Sequence, residues 1–318
     1  MMDILETSIQ NVFFYAIVLG LAATAGLFSE RAGIVNIGIE GTMAMGALGY
    51  AAVGKSFGET ETPYLQFVLL IGAVIGGLLF SLIHGFATII LKSEHTISGV
   101  ALNILAVGVA SVFCSKEVLG DAQQLVSFNV QELSLAPTGF KNIISLKLFI
   151  FIGIMVLAFV MLKYSKWGLR FKAVGENPQA VDVAGINVYS YKWQGIVISG
   201  ILAGLAGGIF VQSTRGFNGS VSGLGFLALA IMIMGHWNVL YVFICSFIFS
   251  IFYYMAVLAK DAPAFKTFSE GFFKKDLTNY GALFGMVPFV FTLISLVAFS
   301  KLSPGPAAAG VNYDKSKR

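Results

Sequence analysis

The stretch Trp193-Gln-Gly-Ile-Val-Ile-Ser-Gly-Ile-Leu-Ala-Gly-Leu-Ala-Gly-Gly-Ile-Phe-Val211 indicates the fold class of this chain. It carries no charged residue, and a helix of about 20 apolar residues crosses the roughly 30 Å core of a bilayer. Gly200, Gly204 and Gly208 recur every four residues and so form a groove on one helix face. The stretch therefore predicts a membrane-spanning helix that packs closely against a neighbour. Gly72 and Gly76 repeat this spacing.

The composition of the whole chain agrees with a membrane protein. Of 318 residues, 57% are apolar and only 11% are charged, whereas a soluble domain has about 25% charged residues. The net charge is +4, without a basic run that interleaves aromatic residues, which argues against nucleic acid as a partner. The two cysteines, Cys114 and Cys245, predict neither a disulfide scaffold nor a cysteine metal site.

Apolar runs of similar length recur along the chain and predict an all-α integral membrane protein, a polytopic bundle of about nine transmembrane helices. The possible span count is eight to ten, because the second and seventh runs are interrupted or short, as in segments that break inside a membrane. The nine runs are 9–28, 34–54, 64–91, 96–113, 148–162, 193–211, 223–235, 238–259 and 281–300.

The placement of Lys and Arg predicts the orientation. The amino terminus lacks the basic region of a secretory signal, so the first run is expected to remain as a span. With the amino terminus outside, eleven of the 20 basic residues fall in about 59 cytoplasmic residues and nine in about 83 external ones. The carboxyl terminus is then inside. We expect one transmembrane domain over residues 1–300, and a flexible cytoplasmic tail over 301–318, whose composition cannot bury a core.

Enzyme signatures are weak or missing. Residues 49–56, Gly-Tyr-Ala-Ala-Val-Gly-Lys-Ser, satisfy the P-loop pattern of nucleotide-binding proteins. That pattern needs a strand before it and a helix after it, but here it ends an apolar run. His84, His95 and His236 lack zinc-protease spacing, and no Gly-x-Ser-x-Gly elbow occurs. We therefore predict no catalytic residue, no metal site and no ATPase site in this chain.

Polar residues within the apolar runs are candidates for a transport path. Glu40 is the single acid in a predicted span; it faces a cavity, or it lies at the cytoplasmic interface and pairs with Arg31. Asn36 and Asn103 either line a polar path or bond to a neighbouring helix.

A short capped helix is predicted in the basic cytoplasmic segment. Asn177 suits an N-cap, Pro178 suits the first turn, and Gly185 suits the left-handed position after the end. A helix from Pro178 to Ala184 is too short to be stable alone. Either another protein packs against it, or it lies on the membrane surface.

Five stretches resemble a known family. Trp167-Gly-Leu-Arg-Phe-Lys-Ala-Val-Gly-Glu-Asn-Pro178, Ala184-Gly-Ile-Asn187 and Ser199-Gly-Ile-Leu-Ala-Gly-Leu-Ala-Gly-Gly208 are similar to the coupling region of type II ABC importer permeases. Glu30-Arg-Ala-Gly-Ile-Val-Asn-Ile-Gly-Ile-Glu-Gly-Thr-Met43 and Gly223-Leu-Gly-Phe-Leu-Ala-Leu-Ala-Ile-Met-Ile-Met-Gly-His-Trp-Asn238 resemble motifs of the branch for nucleosides and simple sugars.

The resemblance implies a permease subunit in a bacterial cytoplasmic membrane. Its partners would be a cytoplasmic ATPase that binds ATP, a second homologous permease, an extracellular substrate-binding lipoprotein and membrane lipid. The chain itself would hold no cofactor. The short helix would be the coupling helix that docks into the ATPase. The resemblance assigns this role to six residues: Arg170, Glu176, Asn177, Pro178, Ala180 and Gly185.

The resemblance of Gly235-His-Trp-Asn238 and Asn36-Ile-Gly-Ile-Glu-Gly41 to the nucleoside branch implies nucleosides as the substrate, with simple sugars as the alternative. Phe226 and Trp237 are flat aromatic residues that suit a base, and they join Asn36, Glu40 and Asn103 as pathway candidates. A path with Glu40 as its only charge favours a neutral solute. An ion-coupled secondary transporter is a rival interpretation, but it generally needs several embedded polar groups. A membrane-embedded enzyme, the other rival, lacks a paired nucleophile and base.

Overall fold

Long apolar helices make up most of the chain in the computed structural model. The structure describes residues 2–57, 62, 64–121, 124–128, 143–260, 265–267, 269–270, 280–299 and 305–315. The helices are α1 Met2–Arg31, α2 Ile39–Phe57, α3 Leu65–Gly85 continued by a π-helical turn Phe86–Ile90, α4 His95–Phe113, α5 Leu146–Tyr164, α6 Lys166–Glu176, α7 Pro178–Val183, α8 Val188–Thr214, α9 Leu224–Met234, α10 Val239–Leu258 and α11 Gly281–Phe299.

Each of the nine predicted apolar runs overlaps one of these helices, although residues 34–38 of the second run are not helical. Among the described residues, six helices are long and apolar enough to cross a membrane: those that contain α1, α3, α4, α5, α8 and α10. The chain is thus an all-α protein with several candidate spans. The 11-residue helix α9 is only about 16 Å long, which is about half of a bilayer core, so it does not cross as a helix on its own.

Helices α2, α3 and α8 pack closely through glycines, as the four-residue spacing predicts. A Cβ added at Gly204 of α8 would stand 2.5 Å from the carbonyl oxygen of Ala73 in α3, and one added at Gly46 of α2 would stand 2.5 Å from that of Gly204. A Cβ at Gly200 would likewise clash with Ser81 of α3. These approaches bring three backbones together at the centre of the bundle, with α1 packed on α8.

The P-loop match at residues 49–56 lies inside helix α2, which runs without a break from Ile39 to Phe57. Gly49 meets the backbone of Gly72 in α3, so it serves helix packing. Lys55 donates a hydrogen bond to the carbonyl oxygen of Leu119. A phosphate-binding loop needs free backbone amides, and those of a continuous helix are bonded within it.

Side-chain caps fix where several helices begin. Asn187 accepts a hydrogen bond from the amide of Ser190 at 3.2 Å and starts α8. Asn238 accepts one from Leu240 at 3.0 Å and starts α10. Glu94 caps α4 in the same way, and hydrogen bonds from the Thr96 and Ile97 amides hold the pKa of this exposed carboxyl below its ordinary value.

A two-stranded ribbon closes one end of the bundle. Strand β1, Val126–Ser127, pairs antiparallel with β2, Gly216–Phe217, with Val126 opposite Phe217. It ties the segment after α4 to the carboxyl end of α8. The outward faces of α3 and α4 carry large exposed apolar side chains such as Ile71, Leu79 and Ile104, a surface that suits lipid or another membrane subunit better than water.

Candidate functional site

The predicted coupling helix is present as α7, with the expected caps. Asn177 Oδ1 accepts a hydrogen bond from the Ala180 amide at 3.0 Å, and Pro178 occupies the first turn. At the other end Gly185 has φ +78°, and its amide bonds to the carbonyl oxygen of Asp182 at 2.9 Å. This is a left-handed helix stop. The helix ends at Val183, one residue before the predicted end.

Helix α7 has a buried base and an exposed outer face. Val181 packs in a small cluster with Val174, Val188 and Tyr313. On the opposite face Val183 is 77% exposed, and Ala180 is also exposed. The short helix is therefore supported from within the chain on one side and carries free apolar surface on the other.

The carboxyl-terminal segment 305–315, which lies within the predicted tail, contacts other parts of the chain. The Ala308 amide donates to the carbonyl oxygen of Gly175 at 2.8 Å. Lys92 and Asp314 form an ion pair at 3.2 Å. Composition missed these contacts because they depend on backbone groups and side chains of distant segments. Tyr313 of this segment is also buried.

Residues 32–38 are non-helical and connect α1 to α2 through the interior of the bundle. Their backbone groups bond to polar side chains of other helices: the Val35 amide to His95 at 3.2 Å, the Val35 carbonyl to His84 at 3.2 Å, and the Ile37 carbonyl to Asn103 at 3.0 Å. Irregular backbone at membrane depth needs such partners. This explains the polar residues that helix α3 and helix α4 carry there.

Glu40 bridges α2 to the start of α9. Its carboxylate accepts hydrogen bonds from the amides of Gly223, at 2.8 Å, and Gly225, at 2.7 Å. These amides have no partner within α9 because they precede or begin the helix. Glu40 does not pair with Arg31, as one reading of the sequence proposed. It acts instead as an N-cap supplied by a different helix.

Three of the five pathway candidates line one cavity of about 270 Å³. Glu40, Asn103 and Phe226 lie on its wall with Ser220, and the remaining wall is small or apolar. Asn103 also accepts a hydrogen bond from the Gly41 amide at 2.8 Å, so it both lines the cavity and bonds to a neighbouring helix. The cavity lies between α2, α4 and the segment that precedes α9.

The other two pathway candidates do not line this cavity. Asn36 is 1% exposed and donates a hydrogen bond to Ser199 Oγ at 3.3 Å. Trp237 is buried at the far end of α9, where its indole N–H donates to Glu30 Oε2 at 2.7 Å. Both were chosen for residue type alone. Their tertiary contacts account for the indole N–H of Trp237 and for the side-chain N–H of Asn36.

Sequence reasoning missed Glu30 as a buried acid. The predicted first span ended at residue 28, whereas α1 continues to Arg31, and Glu30 is only 8% exposed. Arg31 donates two hydrogen bonds to the Trp237 carbonyl oxygen, at 3.0 and 3.2 Å. The sequence held a signal, because Glu30 and Arg31 open the early motif and Trp237 lies near the end of the later one.

Of the six coupling candidates, five lie together around α7, and Arg170 stands exposed on α6. Glu176 pairs with Arg31 at 3.6 Å and accepts a hydrogen bond from the Ala307 amide at 3.2 Å. Among the residues that the structure describes, no group of three or more His, Cys, Asp or Glu side chains could hold a metal ion.

The short capped helix α7 on a bundle of apolar helices fits the resemblance to permeases. Comparison with known protein families tests this resemblance. The family described as "Branched-chain amino acid transport system / permease component" matches residues 8–298. The chain belongs to this permease family. The resemblance to type II ABC importer permeases is thereby confirmed, and the chain is a multi-pass membrane transport subunit.

Three relatives are informative. The nucleoside ABC transporter permease protein NupC of Lactococcus lactis is 38% identical over 98% of this chain and 98% of its own length. The guanosine ABC transporter permease protein NupQ of Bacillus subtilis is 34% identical over 99% of both chains. The guanosine permease protein NupP of Bacillus subtilis is 29% identical over 68% of this chain and 64% of its own.

Proposed function

We propose that this chain is a permease subunit of an ATP-driven nucleoside importer and forms half of its translocation pathway. The observation that carries the proposal is the similarity, over almost the whole length, to NupC and NupQ, which are named for nucleoside and guanosine transport. Bacillus subtilis has a second guanosine permease, NupP, which also resembles this chain. This supports a pair of different permease subunits, served by a substrate-binding lipoprotein.

Helix α7 is the docking site for the ATPase in this proposal. Its caps fix its ends, its inner face rests on Val174 and Val188, and its outer face is free for a partner. Val183 at the end of α7 is 77% exposed, and Leu169 on the neighbouring helix α6 is 69% exposed. Exposed apolar residues near a supported helix favour a protein interface. The alternative is a helix that lies on the lipid surface.

The proposed topology puts helix α7, the docking site, on the cytoplasmic side. We place residues 1–300 in a bacterial cytoplasmic membrane as a transmembrane domain with nine crossings, the amino terminus outside and the carboxyl terminus inside. Helix α9 alone is too short to cross, but α9 and the segment 215–223 together run from the β1–β2 ribbon to Trp237 beside Arg31. The seventh crossing is thus half loop and half helix, as in transporters with broken helices.

In this proposal the cavity forms part of the binding path for a neutral solute, and its wall is mostly apolar. Its volume of about 270 Å³ lies just under the roughly 300–1,000 Å³ of complete small-molecule sites, which supports completion by a second permease. Asn103 and Ser220 offer hydrogen-bonding groups, and Phe226 offers an aromatic face. The charge of Glu40 is directed to two backbone amides, so the described residues that line this cavity offer no free counter-ion to a charged substrate.

In this proposal ATP binds to the partner ATPase and not to this chain. The chain holds no cofactor in this proposal, because the one nucleotide-binding pattern, residues 49–56, is part of a packed helix. ATP-driven closure of two ATPase subunits would move the paired coupling helices and open the cavity alternately to each side. The rival of an ion-coupled carrier predicts transport that an ionophore abolishes and that needs no ATP.

Uptake of labelled inosine or adenosine by cells with the complete system tests the substrate. Unlabelled nucleosides should compete, whereas ribose, a branched-chain amino acid and a nucleotide should not. Competition by ribose alone would assign the system to sugars. Competition by the amino acid or the nucleotide would refute the argument from charge.

A further inference from the structure

Helix α9 is held at both ends by side chains from other helices. At the cavity end, Glu40 binds the amides of Gly223 and Gly225. A Cβ added at Gly225 would stand 2.5 Å from the Glu40 Cα, so the two backbones touch and α9 cannot slide past α2. A movement of α9 therefore carries Glu40 with it, and Glu40 lines the cavity.

The other end of α9 is held by the last two residues of α1. Trp237 donates its indole N–H to Glu30 at 2.7 Å, and its carbonyl oxygen accepts from Nε and Nη2 of Arg31 at 3.2 and 3.0 Å. His236 and Trp237 have φ values of +51° and +50°. Non-glycine residues adopt this backbone conformation only when their surroundings impose it. The bonds from Glu30 and Arg31 supply that constraint at Trp237.

Arg31 also reaches the coupling region. Its Nη1 lies 3.6 Å from Glu176 Oε1, and Glu176 immediately precedes Asn177, which caps α7. The side chain thus contacts the residue before the coupling helix and the turn after α9 with the same planar group. Lysine cannot reproduce this arrangement, because it offers a single compact charge in place of a fork of donors.

We propose that Arg31 is a positioning residue that couples α7 to α9, so that movement imposed by the ATPase reaches the cavity through α9. This inference rests on the proposed function, since it requires ATP-driven movement of α7. When Glu176 moves, its ion pair pulls Arg31 with it. Arg31 then shifts the Trp237 carbonyl group, and helix α9 transmits this shift to Glu40 at its other end. The exposed face of α7 that meets the ATPase is not part of this chain of contacts.

The test uses the complete system reconstituted in proteoliposomes, with ATP hydrolysis, nucleoside uptake and ATPase association measured together. Arg31→Gln should keep ATPase association and change ATP hydrolysis less than about twofold, while uptake per ATP falls about tenfold or more, the scale of a lost charged hydrogen bond. Arg31→Lys should lie between Arg31→Gln and the unchanged chain. The matched control is Lys166→Gln, an exposed basic residue at the other end of α6, which should leave all three unchanged.

A double-mutant cycle separates this role from a general structural one. Glu176→Gln alone should lower uptake per ATP by about two- to fivefold, because Glu176 is half exposed and exposed ion pairs are weak. In the Arg31→Gln background the same change should add almost nothing. A second readout is the reactivity of a cysteine at the exposed Ser220, which should depend on nucleotide in the unchanged chain and lose that dependence in Arg31→Gln.

Three results would overturn the inference. Uptake per ATP in Arg31→Gln could equal that of the unchanged chain. Association with the ATPase could be lost in both Arg31→Gln and Arg31→Lys, which would make Arg31 part of folding or docking. Finally, Glu176→Gln could keep its full effect in the Arg31→Gln background. Absence of ATP-dependent nucleoside uptake in the unchanged system would refute the proposed function itself, so the two failures are distinct.

Discussion

Removal of the Glu40 carboxylate should release the start of α9. The two hydrogen bonds to Gly223 and Gly225 have an ionised acceptor and lengths of 2.8 and 2.7 Å. Bonds of this type contribute about 1.5–3 kcal/mol each, so Glu40→Ala should weaken the local attachment by about 3–6 kcal/mol. Glu40→Gln keeps one acceptor and should lose about half of that.

Hydrogen exchange measured by mass spectrometry on the detergent-solubilised protein reads this change directly. If the amides at 223–226 exchange through local opening, Glu40→Ala should accelerate them by more than about 100-fold, and Glu40→Gln by less. Peptides from the centre of α8 should not change. Glu117→Gln is the control, because Glu117 is an exposed acid outside the site. Unchanged exchange at 223–226, or equal acceleration in α8, would refute the role of Glu40 as a cap.

Three further predictions concern docking, topology and packing. Ala180→Asp should reduce ATPase association and uptake while membrane insertion stays normal, as co-purification and uptake assays would show, because it puts a charge on the exposed face of α7; normal uptake would make α7 a surface loop. In a background without native cysteines, an impermeant reagent should label Lys116→Cys in intact cells and spare Gln179→Cys, and the reverse pattern would invert the topology. Gly204→Val should lower the free energy of unfolding of the solubilised protein by about 1–3 kcal/mol, and so lower its melting temperature. The added Cβ would meet an α3 carbonyl oxygen at 2.5 Å. Gly153→Val, whose Cβ has nothing within 4 Å, should not lower the melting temperature; equal melting of the two variants would contradict the packing argument.

The helices were predictable because apolar length and capping chemistry are local. Every apolar run overlaps a helix, and α7 begins and ends within one residue of the prediction from Asn177, Pro178 and Gly185. The interruption before Ile39 and the shortness of α9 were also visible in the sequence. The four-residue glycine spacing correctly marked the close packing of α8.

Which polar groups meet was not predictable, because it depends on three-dimensional contacts. Glu40 was expected to face a cavity or to pair with Arg31; it lines the cavity but binds backbone amides 183 and 185 residues away. One partner of Arg31 is a backbone carbonyl oxygen, which carries no sequence signal at all. Tyr313 shows the same limit, since nothing in a polar tail reveals that one tyrosine is buried against α7 and α8.

ATP-dependent uptake of a labelled nucleoside into proteoliposomes, with this chain, its partner permease, the ATPase and the binding lipoprotein, tests the central claim most directly. The account predicts uptake that requires ATP on the ATPase side, persists when an ionophore collapses the ion gradients, and falls sharply when this chain carries Ala180→Asp. Uptake without ATP that the ionophore abolishes would contradict the account and would identify an ion-coupled carrier.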